Sequence, residues 1–236
     1  MCRSVAKIVT TSRWSKNNCI SKFGIPESKI LHYPNGVDLA KFDIEISKEE
    51  ARKSLNLESF KFIILYSGHL YEWKGAHILA QSSGLLHKSA VIIFVGGTDE
   101  DVASFGAKYS SDNVIVLGRK PHTDIPLYLK SADILVLPNV PITPHSIEST
   151  SPIKLFEYMA SKRPIIASDL PSIRELLSPS NAILVAPGSP TALADGINNL
   201  LEEMPFGLGL AETAYGEVKK WSWKNRARSI IDFVKR

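Results

Sequence analysis

Cysteine, long apolar runs and an excess of one charge are all scarce in this chain of 236 residues. Its two cysteines, Cys2 and Cys19, form neither a metal-binding pair nor a disulfide framework, which predicts a reducing compartment. Apolar runs such as residues 90–95 fall far short of the roughly 20 residues that a transmembrane helix needs. The 28 Lys and Arg residues exceed the 24 Asp and Glu residues by only four, which is not the basic footprint of a nucleic-acid-binding protein.

A secretory signal and an unfolded chain are also disfavoured by the sequence. Residues 1–14 lack the apolar stretch and the cleavage-like site of a signal peptide. Hydrophobic residues make up 44% of the chain, which is enough for a buried core at this low net charge. We therefore expect a cytoplasmic protein of one or two domains, without a transmembrane segment, and leave peripheral contact with a membrane open.

Short runs rich in Val and Ile alternate with longer amphipathic stretches along most of the chain. The candidate strands are residues 6–10, 30–33, 62–66, 90–95, 113–117, 134–137, 164–167 and 182–185. The candidate helices are residues 75–87, 99–109, 124–131, 152–161 and 172–177, followed by a helical tail over 191–236 that is interrupted near Pro205. Most of the runs are apolar throughout, as in strands covered on both faces, so the sequence predicts an α/β fold with a parallel sheet.

The loops that follow these strands should hold the functional site, because ligands of such sheets bind beyond the carboxyl ends of the strands. One loop ends at Ser151, which can cap the following helix, with Pro152 suited to the first helical position. The amides of Ile153 and Lys154 would then point out of the helix end toward a bound anion. An ordinary capped helix with a surface pair between Lys154 and Glu157 is the alternative.

Two further loops contain glycines that allow a ligand to approach the backbone closely. The loop after the strand at 62–66 contains Gly68 and Lys74, and a lysine can bring a point charge to a phosphate. A lysine that is merely solvated is the alternative. Gly96 and Gly97 follow the strand at 90–95 and fit a tight turn equally well.

The remaining motifs indicate little chemistry. The six histidines, at positions 32, 69, 77, 87, 122 and 145, show no spacing typical of metal ligands, so we expect no bound metal. No Gly-x-Ser-x-Gly motif is present. Asn35 and Gly36, between Pro34 and Val37, predict a turn, with a hinge as the alternative.

Five segments, in this order, resemble the donor-nucleotide-binding half of family 4 glycosyltransferases with the GT-B architecture. They are ILHYPNGVDLAKF at residues 30–42, SGHLYEWKG at 67–75, residues 91–97, residues 113–138 and, above all, SPIKLFEYMASKRPIIASDLPSIRELL at 151–177. The resemblance implies a Rossmann-like parallel sheet with helices on both faces, which is one half of a GT-B fold, and a helical C-terminal tail. Residues 1–33 would be a remnant of an N-terminal acceptor domain, 34–220 the donor-binding domain, and 221–236 a helix that crosses back.

The resemblance also implies an enzyme and its reaction. A glycosyl group would pass from a nucleotide-diphosphate sugar, with UDP or GDP as the carrier, to an acceptor with retention of anomeric configuration. This chain would supply the donor-binding half, and a glycan or lipid-linked acceptor would bind through a missing acceptor domain or a separate subunit. Because side chains and a helix end would neutralise the leaving diphosphate, we expect no cofactor and no obligate metal.

Individual positions take implied roles from the matching motifs. The residues implied for the donor diphosphate are Gly68, His69, Lys74, Ile153 and Lys154. The residues implied for the nucleoside are Gly96, Gly118, Arg119 and Glu157, the last as the carboxylate that accepts hydrogen bonds from the ribose. The candidate contacts of the transferred sugar are Asn139, His145, Glu148 and Ser149. The residues expected to act in catalysis are Lys74, His69 and Glu148.

Two positions depart from the motifs of this family. His69 stands where an arginine is usual, and it offers a weaker, pH-dependent charge or simply packs locally. The family's paired glutamates are eight positions apart, and the residue eight positions before Glu157 is Ser149. Glu148 is one residue away and would substitute if the loop accommodates a shift. The nature of the transferred sugar is therefore left open.

These departures motivate a second hypothesis, a non-catalytic module that binds a nucleotide-sugar or docks a partner through a degenerate site. Such a module would expose apolar surface where an acceptor domain would otherwise pack. A sugar-nucleotide epimerase of the same architecture is a third hypothesis, and the match over residues 151–177 argues against it.

Overall fold

The computed structural model describes residues 6–236, so Cys2 lies outside the described residues. Its strands are β1 (Ile8–Thr10), β2 (Ile30–His32), β3 (Phe62–Ser67), β4 (Ala90–Val95), β5 (Val114–Val116), β6 (Ile134–Leu137), β7 (Ile165–Ser168) and β8 (Ile183–Val185). All eight predicted strands are confirmed, with ends that differ by at most two residues. Strands β1 and β2 pair in a small parallel sheet, and the other six form one parallel sheet of order β5-β4-β3-β6-β7-β8.

Eleven helices are found within residues 6–236. They are α1 (Arg13–Ser21), α2 (Leu39–Phe42), α3 (Lys48–Ser54), α4 (Ala76–Gln81), α5 (Asp99–Tyr109), α6 (Ile125–Ser131), α7 (Ile153–Ala160), α8 (Pro171–Arg174), α9 (Pro190–Glu202), α10 (Met204–Val218) and α11 (Trp223–Val234). The five predicted helices are confirmed, although α4 and α8 are shorter than expected. Helix α3 was not predicted, and it begins with a capping box in which Ser47 and Glu50 bond each other's backbone amides.

Helices cover both faces of the six-stranded sheet, as the continuous apolar runs predicted. Along β3, Ile63 and Leu65 face one core cluster, whereas Ile64 and Tyr66 face the other. The first cluster includes residues of α6, α7 and α10, and the second includes residues of α4, α5 and α9. Since successive side chains of a strand point to opposite faces, a strand buried on both faces must be apolar at every position.

The strand order shows where a ligand-binding crevice can form in the sheet. From β3 the chain moves outward through β4 and β5, and it then returns to add β6, β7 and β8 on the other side of β3. The order therefore reverses between β3 and β6, where the two following loops separate and leave a crevice. Gly68 follows β3 and Pro138 follows β6, so these loops form the walls of the crevice.

The predicted interruption of the helical tail was partly wrong. The break falls at Glu203, whose φ of −113° and ψ of 45° are not helical, and α10 begins immediately afterwards. Pro205 lies in the first turn of α10, where a missing amide proton costs no intrahelical hydrogen bond. Pro205 therefore starts a helix instead of ending one.

The segment that follows β2 runs beside the segment that precedes α11. Val37 forms an isolated parallel bridge with Ser222, and the rings of Tyr33 and Trp221 meet edge to face with centroids 5.3 Å apart. A Cβ on Gly36 would lie 2.6 Å from the carbonyl oxygen of Trp221, so only glycine fits there. The predicted turn at Asn35 and Gly36 is wrong, because these residues are irregular backbone packed against the segment that precedes α11.

Candidate functional site

Two adjoining clefts open at the carboxyl ends of the strands. The large cleft, of about 840 Å³, is lined by the loops after β3, β4 and β5 and by one side of α7. The small cleft, of about 470 Å³, is lined by the loops after β3 and β6, the start of α7, and Thr11 and Asn35 from the N-terminal part of the chain. Gly68, His69 and Lys154 line both clefts, so the two spaces form one groove across the switch point of the sheet.

Glycines shape the floor where the strands end. Gly68 donates its amide to the carbonyl of Val95, and Gly96 donates to the carbonyl of Gly118, which ties the loops after β3, β4 and β5 together. A Cβ on Gly96 would lie 2.3 Å from the carbonyl oxygen of Gly68. Gly68 has a φ of +129°, and a Cβ there would lie 2.7 Å from Nζ of Lys154. Gly96 therefore makes room for the loop after β3, and Gly68 makes room for a cation.

Helix α7 begins at the junction of the two clefts without a side-chain cap from the described residues. Its N-cap is Pro152, so the predicted capping by Ser151 is wrong. Ser151 is engaged elsewhere, because its Oγ accepts the Asn35 amide at 3.2 Å and its carbonyl accepts Asn35 Nδ2 at 2.7 Å. The first amides of α7, at Ile153 and Lys154, are left for an external acceptor, as proteins often arrange for a bound anion.

The ammonium of Lys154 lies at this helix end in an environment that disfavours its charge. Its Nζ is inaccessible to solvent and has no hydrogen-bond partner among residues 6–236. It lies 3.8 Å from the centre of the Tyr66 ring, and the negative charge of Glu157 also acts on it. Burial, and then the nearby charge of Lys74, hold the pKa of Lys154 well below its usual range. A buried cation without an anion is costly, so its place in the groove indicates an anionic ligand.

Lys74 supplies a second cation to the small cleft. The residue ends a short 3₁₀ turn, Glu72–Lys74, and its Nζ lies 3.7 Å from the centre of the Trp73 ring. Burial lowers the pKa of Lys74 to about 8. Gly75, which follows with a φ of +73°, takes the left-handed conformation that turns the chain into α4. The alternative of a merely solvated lysine does not describe this half-buried side chain.

Glu157 lines the large cleft from the second turn of α7, and it is only 7% exposed. Its Oε1 lies 3.0 Å from Nε2 of His122, which comes from the loop after β5. The predicted alternative of a surface pair between Lys154 and Glu157 is wrong, because Glu157 is buried and bonded to His122. Tyr158, the next residue, accepts the amide of Ser67 at 2.9 Å and so fixes α7 to the end of β3.

The other residues predicted for the nucleoside lie around the same space. Gly96 and Arg119 line the large cleft, with Arg119 exposed. Gly118 does not line it, but its φ of +67° turns the chain toward Arg119. His69 lines both clefts with an exposed ring that stacks on Tyr71 at a centroid distance of 4.8 Å. Gly96 and Arg119 thus share the large cleft with Glu157, whereas Gly118 lies outside its lining.

The structure divides the four candidate sugar contacts into two pairs. His145 and Ser149 line the small cleft, on a single π-helical turn over His145–Ser149, and Ser149 Oγ lies 2.6 Å from His145 Nδ1. Glu148 belongs to the same turn but lines neither cleft. Asn139 is fully buried, lines neither cleft, and finds no partner for its amide among residues 6–236. Ser149, and not Glu148, therefore occupies the place that faces the groove.

Sequence reasoning missed several residues that the fold brings to the site. They are Trp73 and Thr11 in the small cleft, and His122 in the large cleft. His122 follows a strand, as functional loop residues of this fold do, and that position was the available signal. Thr11 also follows a predicted strand, but that strand belongs to the separate two-stranded sheet, so its position did not indicate that it reaches this groove.

Residues 6–236 contain neither a cluster of metal ligands nor a membrane-spanning helix. No group of three His, Cys, Asp or Glu side chains in that range could hold a metal ion. No helix there is both long and apolar enough to cross a bilayer. The expectation that donor binding needs no metal stays a prediction.

Solved structures share this architecture. The chain superimposes on an Anabaena protein, Alr3699/HepE, crystallised with UDP, with a TM-score of 0.82 and 20% identity, over 99% of this chain and 64% of that one. It also matches WaaG, a glycosyltransferase of lipopolysaccharide biosynthesis, with a TM-score of 0.77 and 16% identity, over 95% of this chain and 62% of that one. The fold therefore matches part of the fold of GT-B glycosyltransferase structures.

Sequence comparison identifies the family. The chain belongs to the group 1 glycosyl transferases, whose family model matches residues 61–203, more than half of the chain. It is 28% identical to an uncharacterized glycosyltransferase of Methanocaldococcus jannaschii, over 97% of this chain and 60% of the relative. It is 29% identical to a putative teichuronic acid biosynthesis glycosyltransferase of Bacillus subtilis, over 82% of this chain and 46% of the relative. The chain thus spans about half the length of these relatives.

Proposed function

We propose that this chain is the donor-binding half of a retaining, family 4 type glycosyltransferase. The observation that carries the proposal is the solvent-inaccessible, unpartnered ammonium of Lys154 at the uncapped start of α7. Lys74 lies close enough to lower the pKa of Lys154 by repulsion, so two cations and a helix end converge on one point. A diphosphate brings two or more negative charges and many acceptor oxygens, which suits this concentration of donors.

The nucleoside extends from this point into the large cleft. Glu157 has a second carboxylate oxygen, Oε2, available to the ribose hydroxyls beside the oxygen that His122 contacts. The loop from Gly118 to Arg119 offers backbone to the base. UDP is the first carrier to test, because the Anabaena neighbour was crystallised with UDP, and GDP is the second.

The sugar extends into the small cleft, where transfer takes place. When the nucleoside diphosphate departs, negative charge develops on the bridging phosphate oxygen, and preorganised cations stabilise it. Lys74, Lys154 and the α7 amides are placed to do so, with His69 at the junction of both clefts. The acceptor, a glycan or a lipid-linked saccharide, would be presented by an acceptor domain or by a separate subunit of a cytoplasmic enzyme.

The test is stabilisation of the purified chain by nucleoside diphosphates, measured as a change in melting temperature. UDP or GDP at millimolar concentration should raise the melting temperature by several degrees, since a ligand that binds only the folded state stabilises it. Lys74→Ala should abolish the increase. Lys88→Ala removes an exposed lysine before β4, at the opposite edge of the sheet, and should leave the increase in melting temperature unchanged. The proposal fails if no nucleoside diphosphate changes the melting of the unmodified chain.

A second candidate function is a non-catalytic module that binds a nucleotide-sugar or docks a partner. Ser149 favours it, because a hydroxyl faces the groove at a position where a carboxylate is usual in the family. Such a module would bind UDP or GDP without transferring or hydrolysing the sugar when the acceptor half is supplied. Turnover in the presence of that half separates the two functions.

A further inference from the structure

The small cleft contains several basic side chains and no acidic one. Lys74, Lys154, His69 and His145 line it, and no Asp or Glu within residues 6–236 does so. The large cleft, by contrast, includes Glu157 and Asp99 beside its basic residues. The small cleft is therefore the more electropositive part of the groove, and it should bind the more anionic part of a ligand.

A diphosphate accounts for only part of this charge. Lys154, which lines both clefts, and Lys74, which lines the small cleft, match the two charges of a diphosphate that is esterified at both ends. His145 belongs to another wall, the π-helical turn after β6, so a ligand that continues beyond the diphosphate into the small cleft would reach it. In a nucleotide-sugar the part beyond the diphosphate is the sugar.

The imidazole of His145 is held in a defined orientation. Its Nδ1 lies 2.6 Å from Ser149 Oγ, and its ring meets the Trp73 ring edge to face with centroids 5.9 Å apart. Thr150 Oγ1 donates to the carbonyl of His145 at 2.8 Å and braces the same turn. Nε2 of His145 has no protein partner among the described residues. A held imidazole with one free nitrogen is a directed donor for an oxygen ligand.

The residue that faces the groove beside His145 is neutral. A carboxylate at Ser149 would accept hydrogen bonds from sugar hydroxyls and would repel a negatively charged sugar. A serine hydroxyl removes that repulsion, and Glu148 does not restore it, because it lines neither cleft. With serine at position 149, the small cleft is more positive than it would be with glutamate there, and it repels a negatively charged sugar less.

From these contacts we propose that the small cleft selects a donor whose sugar carries a carboxylate, namely a hexuronic acid unit. The carboxylate would accept a hydrogen bond from His145 Nε2–H, with the Ser149 hydroxyl donating to His145 Nδ1 and so keeping the proton on Nε2. This inference rests on the proposed donor-binding function and adds the chemical class of the sugar. Charge-assisted hydrogen bonds of this kind are the strong ones, so the preference should be large enough to measure.

The experiment compares the affinities of UDP, UDP-glucose and UDP-glucuronic acid for the full chain by titration calorimetry. We expect UDP-glucuronic acid to bind at least about tenfold more tightly than UDP-glucose. If UDP does not bind and GDP does, GDP-mannuronic acid and GDP-mannose form the pair. Equal affinity, or tighter binding of the neutral sugar, overturns the inference and leaves the donor-binding function intact. If neither UDP nor GDP binds, the proposed function itself fails.

Three substitutions assign the preference for a charged sugar to the named residues. Ser149→Glu should reverse the preference for UDP-glucuronic acid over UDP-glucose, and His145→Gln should reduce it. For each variant the two affinities are compared with its affinity for UDP. Ser149→Ala removes the hydroxyl without adding charge, so it should weaken the preference without reversing it. If Ser149→Glu fails to fold, the other two variants decide, and an unchanged preference in both overturns the assignment.

Discussion

Nε2 of His122 lies 3.0 Å from Oε1 of Glu157, which joins the loop after β5 to helix α7 across the large cleft. Glu157 is buried, whereas the His122 side chain is 66% exposed. The ring also meets Phe42 edge to face, with centroids 5.6 Å apart. Because the carboxylate keeps Oε2 for another donor, we infer that His122 orients Glu157 and does not compete with the nucleoside.

His122→Ala should therefore weaken binding of UDP by about 3- to 10-fold, since an exposed hydrogen bond to a charged group contributes roughly 1 kcal/mol. Glu157→Gln keeps the shape but removes the anion, and it should weaken binding further. Titration calorimetry measures both changes. Tighter binding by His122→Ala would contradict the inference, because it would mean that His122 occupies the ribose position.

A change of pH tests the environment of Lys74. Burial lowers the pKa of Lys74 from 10.5 to about 8 in the folded protein. Between those two values the unfolded chain binds more protons than the folded chain, so the free energy of unfolding rises with pH in that window. Lys154, whose pKa is also lowered by burial, contributes with the same sign.

The measurement is urea denaturation at pH 7.5 and pH 9.5 for the unmodified chain and for Lys74→Met. Other groups titrate in the same window, so the quantity of interest is the difference between the two proteins. The gain in stability toward pH 9.5 should be smaller in Lys74→Met. Identical gains would show that Lys74 keeps its ordinary pKa in the folded state.

The architecture could be predicted from the sequence because its signals are local. Strands such as Ala90–Val95 are continuous apolar runs, a direct consequence of burial on both faces of a parallel sheet. Helix α5 was predicted with its observed bounds, since Thr98 caps it and Ser110 ends it. Helix α3 was missed because it is only seven residues long. Its capping box, Ser47 followed three positions later by Glu50, is the sequence signal that could have predicted where it begins.

The candidate site could be predicted only in outline. Gly68, Lys74 and Lys154 could be assigned to one edge of the sheet because they follow strands, and ligands of parallel sheets bind beyond the carboxyl ends of the strands. Contacts between distant segments left no such signal. Asn35, 116 positions away in the sequence, donates its backbone amide and its Nδ2 to Ser151. Ser151 Oγ is therefore engaged with Asn35 and does not cap α7 as predicted. Whether Glu148 or Ser149 faces the groove depended on a π-helical turn that no periodicity predicts.

The unpaired charge of Lys154 should make the empty protein less stable than it could be. Lys154→Met keeps a long side chain on the Tyr66 ring and removes a buried cation that has no hydrogen-bond partner among residues 6–236. Replacement of buried charges by apolar groups is often stabilising, so we expect a gain of about 1–3 kcal/mol. In a chain of this size that gain raises the melting temperature by about 2–4 °C for each kcal/mol.

The same substitution should abolish stabilisation by UDP, so gain of stability and loss of binding should occur together. Lys53→Met replaces an exposed lysine on α3 and should leave both quantities unchanged. Thermal melts with and without UDP provide both values. A lower melting temperature for Lys154→Met would show that the ammonium is compensated in the empty protein.

Gly75 should be far less replaceable than Gly188, although the two residues share nearly the same backbone conformation. Their φ angles are +73° and +72°. A Cβ on Gly75 would lie 1.7 Å from the carbonyl oxygen of Pro138, whereas a Cβ on Gly188 would meet nothing within 4 Å. Gly188→Ala should therefore cost only the left-handed strain of about 1–2 kcal/mol. Gly75→Ala must in addition displace the loop after β6, and it should cost at least about twice as much. Urea denaturation of both variants measures the difference, and equal losses would contradict the close approach of these two loops.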